Sequence, residues 1–292
     1  MTNIDFSKKT NQFIVLGILG FVWGSSFILI KKSLLSFSPI QVGSLRILIA
    51  AIVLLPFAIK NMKWLNKSNW YYFLLTGLLG NGIPAILFSV AQTKVSSSVT
   101  GFTNSLTPLF TLIVGILVFH QNTGWKKILG IVVGLLGAAL LIISGNNGQQ
   151  QFNIWYWLLA VLGSLCYGFS VNIIKNKLQN VDPIAVTSVA FLFLLLPTGL
   201  LFLSSNWQSP YNHPMFNQSV LAIVTLAVVG TSAAVLIFNM LIKHTTAVFA
   251  ASTTYIVPVF ALMWGIYDHE SFNLWQLSGI GLILSGVYLS SK

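Results

Sequence analysis

Long uncharged stretches set the pattern of this chain. Residues 10–30, 68–93, 95–125, 244–267 and 271–291 contain no Asp, Glu, Lys or Arg, and 128–174 and 183–242 are longer stretches of the same kind. A helix that crosses a bilayer needs about 20 mostly apolar residues, so each shorter stretch holds one. The two long stretches hold two each, divided by polar breakers at 146–151 and at 204–218, the latter with Pro210 and Pro214. One further apolar run, 40–59, is interrupted only by Arg46. The pattern therefore predicts ten helices, at 11–30, 40–59, 70–92, 97–119, 127–144, 153–174, 184–203, 218–242, 246–267 and 273–290. Apolar residues run on without strict alternation, which favours helices over a closed barrel as the way to satisfy backbone groups in lipid. The fold class expected is an all-α polytopic membrane protein.

Composition narrows the function classes. Of 292 residues, 55% are hydrophobic and 7% charged, against about 25% charged in a soluble domain. That excludes a soluble enzyme, a disordered chain and a nucleic-acid binder. The net charge of +11 comes from 15 basic and 4 acidic residues, and the bases are scattered rather than gathered into a patch. The single cysteine, Cys166, rules out an internal disulfide and any CxxC site. His120, His213, His244 and His269 form no shared ligand set, so neither a metal nor a cofactor is expected. No P-loop pattern is present, which argues against ATP-driven work by this chain.

Charge distribution orients the helices. With both termini cytoplasmic, the inner segments carry eleven lysines and the outer segments only Lys31, Lys32 and Lys94, the asymmetry of the positive-inside rule. Lys8 and Lys9 precede an uncharged run longer than a signal-peptide core of about 7–15 residues, so the first helix is expected to be retained. The lack of a targeting extension fits a bacterial inner (plasma) membrane.

The two halves repeat one another. Trp23, Gly24, Ile30, Lys31 and Pro39 match Tyr167, Gly168, Ile174, Lys175 and Pro183 at an offset of 144. Gly80, Phe88, Pro108, Phe110, Gly115 and Trp125 match Gly230, Phe238, Pro258, Phe260, Gly265 and Trp275 at 150. Chance similarity between apolar helices would match Leu and Ile, not Trp, Gly, Pro and Lys. The units expected are 1–145 and 152–292. Five helices per unit makes the second enter the membrane inverted, a layout typical of secondary transporters, with the binding site near the midplane between repeats.

This pattern resembles the drug/metabolite transporter superfamily, specifically its ten-helix EamA-type permeases. The pieces that carry the resemblance are the run from Phe21 to Phe27, Ser44-Leu45-Arg46, Thr107-Pro108-Leu109-Phe110, Val257-Pro258-Val259-Phe260 and the glycine ladders near 130–137 and 279–286. The resemblance implies export of small metabolites, such as amino acids or related compounds, by alternating access. Other cargoes of the same fold (sugar phosphates, nucleotide sugars, lipid-linked intermediates) and a non-transporting membrane factor stand as alternatives. Such permeases often carry a glutamate after helices 4 and 9. Glu270 keeps it in the second half, and His120 stands at the first-half position by the sequence offset.

Within the spans, polar and aromatic residues are the candidates for contact with a small-molecule substrate. Pro108 and Pro258 each leave a carbonyl four residues back, on Asn104 and Thr254, without its helical partner. They read either as packing kinks or as broken ladders offering polar groups to a cavity. Trp23 and Tyr167 lie too deep for an interfacial belt, and read as core packing or as cavity walls with polar tips. Asn81, Asn172 and Asn239 fit interhelical hydrogen bonds or substrate contacts, and Tyr255 belongs to a weaker tier with Ser89 and Ser105. Arg46, the only charge within a predicted span, either snorkels outward or anchors a substrate carboxylate. Asp268 and Glu270 read as a solvated turn. The glycine ladders bring helices 5 and 10 together, within one chain or across a homodimer. With no acid inside any span, a cation/proton antiporter is disfavoured, and neutral, zwitterionic or mildly anionic metabolites fit best.

Overall fold

The computed structural model describes residues 8–122, 124–145, 153–270 and 274–291. Among these, secondary structure is entirely helical. In chain order the long helices are α1 (Lys9–Ser33), α2 (Pro39–Asn61), α3 (Trp70–Ala91), α4 (Ser97–Leu117), α5 (Trp125–Gly145), α6 (Ile154–Lys177), α7 (Pro183–Leu203), α8 (Phe216–His244), α9 (residues 247–267) and α10 (Leu274–Ser291), with a short 3-10 turn at Met62–Trp64 and a one-turn helix at Gln208–Tyr211 in the connections. Seven of them, α1–α4 and α6–α8, are long and apolar enough to cross a membrane, and shorter apolar helices occupy Val257–Tyr267 and Leu277–Gly286. The molecule has the make-up of a polytopic membrane protein.

Helix starts are written in the sequence. Ser38 caps α2 with Gln41 in a reciprocal capping box and Pro39 in the first turn. Asp182 caps α7 ahead of Pro183, and Asn153 caps α6. The outward faces stay apolar: Phe13, Ile14 and Ile18 on α1 and Leu196, Leu200 and Leu203 on α7 are exposed, as a lipid-facing surface requires.

Four helices depart from regular geometry, in two matched pairs. A π turn interrupts α3 at Leu78–Gly82 and another interrupts α8 at Val228–Ala233. At their centres Gly80 and Gly230 admit neighbours that a side chain would exclude. A Cβ on Gly80 would lie 2.4 Å from Ser170 Oγ, and one on Gly230 would lie 2.9 Å from Ser26 Oγ. α4 breaks between Asn104 and Thr107, and α9 passes through a 3-10 turn at Ser252–Tyr255 before resuming at Val257. Pro108 and Pro258 sit in the first turn of each resumed segment, where a missing N–H costs nothing.

Close contacts between the halves also come in pairs at the sequence offsets. A Cβ on Gly24 would meet Phe260 Cβ at 2.6 Å, and one on Gly168 would meet the Phe110 carbonyl carbon at 2.9 Å. α5 and α10 approach at backbone distance: a Cβ on Gly137 would lie 2.6 Å from the Ile283 nitrogen, and one on Gly286 2.3 Å from the Gly134 nitrogen. The small-residue face of α5 is thus filled by α10 of the same chain.

Candidate functional site

The helices enclose a central cavity with about 90 Å³ of room for the centres of water-sized molecules, enough for several waters or a small solute. Its walls come from α1, α2, α3 and α4 of the first half and α6, α7, α8 and α9 of the second. Two aromatic pairs form part of the wall. Trp23 meets Phe238 edge to face at 4.9 Å between centroids, and Tyr167 stacks on Phe88 at 5.8 Å. Trp23 corresponds to Tyr167 at the sequence offset of 144 and Phe88 to Phe238 at 150, so the two pairs match one another.

The polar lining is under-bonded. Trp23 Nε1 donates to the Gly230 carbonyl at 3.2 Å, a group presented by the π turn of α8. Thr187 Oγ1 donates to the Pro183 carbonyl at 2.9 Å, so it can only accept from Asn239, whose Nδ2 lies 2.9 Å away. That fixes the Asn239 amide with Oδ1 turned away from Thr187, and this oxygen, like Thr76 Oγ1, is buried without a hydrogen-bond partner. Both residues line the cavity. An unsatisfied buried polar atom costs about 1–3 kcal/mol, a penalty that water or a ligand in the cavity removes.

Arg46 does not snorkel. It is buried, lines the cavity, and donates from Nε to Thr231 Oγ1 at 2.7 Å. Thr231 in turn donates to the Leu226 carbonyl at 2.9 Å, five residues back across the π turn. The sequence offered snorkelling because Arg46 is only a few residues into α2. It had no means of placing Thr231 and a water-sized cavity within reach.

Of the nine residues marked from the sequence as contact candidates, the structure gathers Trp23, Arg46, Asn81, Asn104, Tyr167, Asn239 and Thr254 around this one cavity. Asn172 lies elsewhere. Its Nδ2 donates to the carbonyls of Thr111 and Gly168 at 2.8 and 2.9 Å, and its Oδ1 accepts from Gln121. It bonds α6 to α4 and is not among the residues that line the cavity. The Tyr255 side chain lies outside the described residues. The carbonyl that Pro258 frees on Thr254 is not turned to the cavity: Ser105 Oγ donates to it at 2.9 Å, tying the break in α4 to that in α9. Ser26, Thr76, Ser170 and Thr187 also line the cavity, and the sequence reading missed them. Ser26 and Ser170 share the offset of 144 and could have been found from it; Thr76 and Thr187 carry no such signal.

At one end of the bundle an ion network joins α1, α4 and the α9–α10 connector. Lys31 Nζ lies 2.8 Å from Glu270 and 2.7 Å from Asp268, and Lys32 also pairs with Asp268. Glu270 accepts from the backbone N–H groups of Ser97 and Ser98, both at 3.2 Å, and from their hydroxyls at 2.7 and 2.6 Å. Asp268 and Glu270 therefore do not form the solvated turn expected of them. His269, at φ 59°, turns the chain so that Glu270 lies beneath the start of α4. Burial alone would push the Glu270 carboxyl up, but hydrogen bonds from Lys31, Ser98 and Ser97 outweigh it and hold the group below the usual glutamate range. Asp268 is likewise lowered: its burial is outweighed by Lys31 and Lys32. In the first half His120 has φ 50°, which matches it to His269. The counterpart of Glu270 is then Gln121 rather than His120, because the first connector is one residue longer.

The arrangement is a solute-sized, partly polar chamber between two similar halves, with no group of three or more His, Cys, Asp or Glu among the described residues that could hold a metal. The model of the EamA-like transporter family matches the chain twice, over residues 12–143 and 154–292. The chain belongs to this family. Among relatives of this EamA-like protein is the uncharacterized inner membrane transporter YedA of Escherichia coli, 25% identical over 97% of this chain and 92% of the relative. A probable amino-acid metabolite efflux pump of Salmonella typhimurium is 26% identical over 92% of this chain and 91% of its own length. A solved crystal structure shares the fold, with a TM-score of 0.69 at 14% identity over 97% of both chains. The protein is a multi-pass membrane transporter.

Proposed function

We propose that this EamA-like protein is a secondary transporter of the bacterial inner membrane that exports amino acids or related small metabolites by alternating access. In this reading α1–α10 all span the membrane, both termini are cytoplasmic, and residues 1–145 and 152–292 are inverted five-helix repeats. The observation that carries the reading is the central cavity, whose aromatic walls, Trp23 with Phe238 and Tyr167 with Phe88, are contributed equivalently by the two halves. A site shared between inverted repeats can open to either side when the halves exchange conformations. The paired π turns and paired helix breaks put the irregular backbone around this site. The composition of the lining, two aromatic pairs with amides, hydroxyls and a single cation, suits a small zwitterion. The chemistry is binding and release, and no catalytic constellation is needed.

The test is counterflow in proteoliposomes. Vesicles are loaded with unlabelled amino acids, nucleosides, sugars or phosphate esters, and uptake of the labelled compound is followed. Exchange of one or more amino acids is expected, with Trp23→Ala and Tyr167→Ala both impairing it while inserting normally. Exchange confined to phosphate esters, or none with any class, would overturn the reading.

A further inference from the structure

The cavity contains a charge with no counter-ion. The described residues hold three acids. Asp268 and Glu270 are committed to Lys31 and Lys32, and Asp182 caps α7. None pairs with Arg46, whose guanidinium stays charged at any physiological pH. Its Nε is fixed by Thr231, and that bond has a set direction because the Thr231 hydroxyl proton is already given to Leu226. The Nε–Thr231 bond is the one hydrogen bond Arg46 makes among the described residues, so its two terminal nitrogens, Nη1 and Nη2, have no such partner; they are not among the sealed polar atoms and open onto the cavity, where the neutral phenol of Tyr167 is near the guanidinium. A buried cation is normally paired, because leaving it unpaired carries most of its desolvation cost. Here the unpaired edge is the planar fork that matches a carboxylate with two parallel hydrogen bonds.

Departure from the repeat symmetry supports the same conclusion. The second-half counterpart of Arg46 is Ala190, and the first-half counterpart of Thr231 is Asn81, at the offsets of 144 and 150. All four line the cavity or hold a group that does. One side of an otherwise two-fold chamber thus carries a pinned cation. At the matching positions stand the Ala190 methyl group in place of the guanidinium and the Asn81 amide in place of the Thr231 hydroxyl. A packing role would not need a charge on one side only, whereas a ligand with one charged end would.

We infer that Arg46 is the anchor for a carboxylate on the transported solute, received on its Nη1–Nη2 edge, with Thr231 as the residue that positions it. This rests on reading the cavity as the transport site. Compounds that carry the carboxylate bind; their amides and decarboxylated amines do not.

The experiment uses the full chain purified in detergent. Thermal unfolding is measured against each standard amino acid, its primary amide and its decarboxylated amine, with sodium chloride as an inorganic-anion control. Ligands of the folded state raise the unfolding temperature in a saturable way. At least one acid is expected to do so while its amide and amine do not. Arg46→Gln should raise the concentration for half-maximal stabilisation by at least about tenfold. Arg46→Lys should recover part of the loss, since charge stays but the fork is gone, and Thr231→Val should fall between Arg46→Gln and the wild type. If Arg46→Gln does not fold, the acid–amide comparison on the wild type and the response of Thr231→Val decide.

Stabilisation by no acid, equal stabilisation by acid and amide, or an unchanged response in Arg46→Gln would each overturn the inference. So would an Arg46-dependent response to chloride in place of the amino acids, which would mark an inorganic-ion site. The stabilising acid is then tested for counterflow. An acid that binds through Arg46 but never crosses the membrane sinks the transport reading and leaves the anchor standing. Flux of amides and amines that Arg46→Gln does not alter does the reverse.

Discussion

Replacing Glu270 by Gln should loosen the end of the bundle that bears Lys31. The wild-type carboxylate accepts five hydrogen bonds, one from Lys31 and four from the backbone and hydroxyl donors of Ser97 and Ser98. Gln keeps the shape but turns one acceptor into an NH₂ group. The serine hydroxyls can rotate and accept from it; a backbone N–H facing it cannot. One buried N–H left unsatisfied costs about 1–3 kcal/mol. The lost Lys31 pair adds less, because the Lys31 side chain is 35% exposed, which brings the pair toward the ~0.2–1 kcal/mol of solvent-screened pairs. The sum is about 1.2–4 kcal/mol. If these contacts exist only while this end is closed, the open population rises by roughly 7- to 700-fold, at ~1.4 kcal/mol per factor of ten. The assay places a single cysteine at Ser26, which lines the cavity, in a Cys166→Ser background and follows its labelling by a membrane-impermeant maleimide from the side of Lys31. Faster labelling and a lower unfolding temperature are expected with Glu270→Gln. Labelling and unfolding that match the Glu270 parent would refute the reasoning that this network closes the end.

The lowered carboxyls of Asp268 and Glu270 give a pH dependence of definite sign. Their stabilising contribution is complete above the ordinary carboxylate range, near pH 4, and is lost as the pH falls through their depressed values. Unfolding temperature should therefore drop more steeply below about pH 4 in the wild type than in Glu270→Gln; parallel curves would count against the assignment. Gly286→Ala should destabilise by about 1–3 kcal/mol, since its Cβ would meet backbone atoms of Gly134 and Gly130 at 2.3 and 2.6 Å. Gly281→Ala, with nothing within 4 Å, is the neutral control, and equal unfolding temperatures for the two variants would show that α5 and α10 are not so closely packed.

What the sequence carried and what it hid follow from the range of the forces involved. Helix positions were legible because lipid imposes one rule on every span, and the gaps between charges count it out. The cavity aromatics were legible because Trp23 and Tyr167 stand in register at the offset of 144. The π turns were not, since a turn that shifts from four-residue to five-residue hydrogen bonding leaves no periodic mark at Leu78–Gly82 or Val228–Ala233. Gly80 and Gly230 matched at the offset, but nothing nearby told a packing glycine from the centre of a bulge. Asn172 was grouped with the cavity amides on the strength of its depth. Its partners on α4 lie about sixty residues away in sequence, and only the folded arrangement shows them. Asp268 and Glu270 were read as solvated for the same reason: Lys31 and the start of α4 reach them through space.

The departures from two-fold symmetry then become informative. Lys31 and Lys175 are repeat equivalents, yet Lys31 pairs with two carboxylates and Lys175 with the backbone carbonyls of Ile242 and Thr245. Glu270 caps α4 with its full charge, while its counterpart Gln121 makes one long hydrogen bond to Asn172 at 3.3 Å. The Lys175 ammonium also makes charge-assisted bonds, but only Lys31 meets carboxylates, and the Glu270 carboxylate accepts five such bonds where Gln121 makes one neutral one; in the proposed reading this makes the Lys31 end the more firmly closed. On the proposed orientation the firmer closure faces outward. Conformations related by exchange of the two halves would be equal in energy in a perfect repeat. In the proposed reading they are unequal, and the state closed on the Lys31 side is the one expected to be more populated. If the solute binds at Arg46 as inferred, it has only to offset part of that difference to open the outer end, and substitutions at Glu270 and at Arg46 should then act on the same equilibrium from opposite directions.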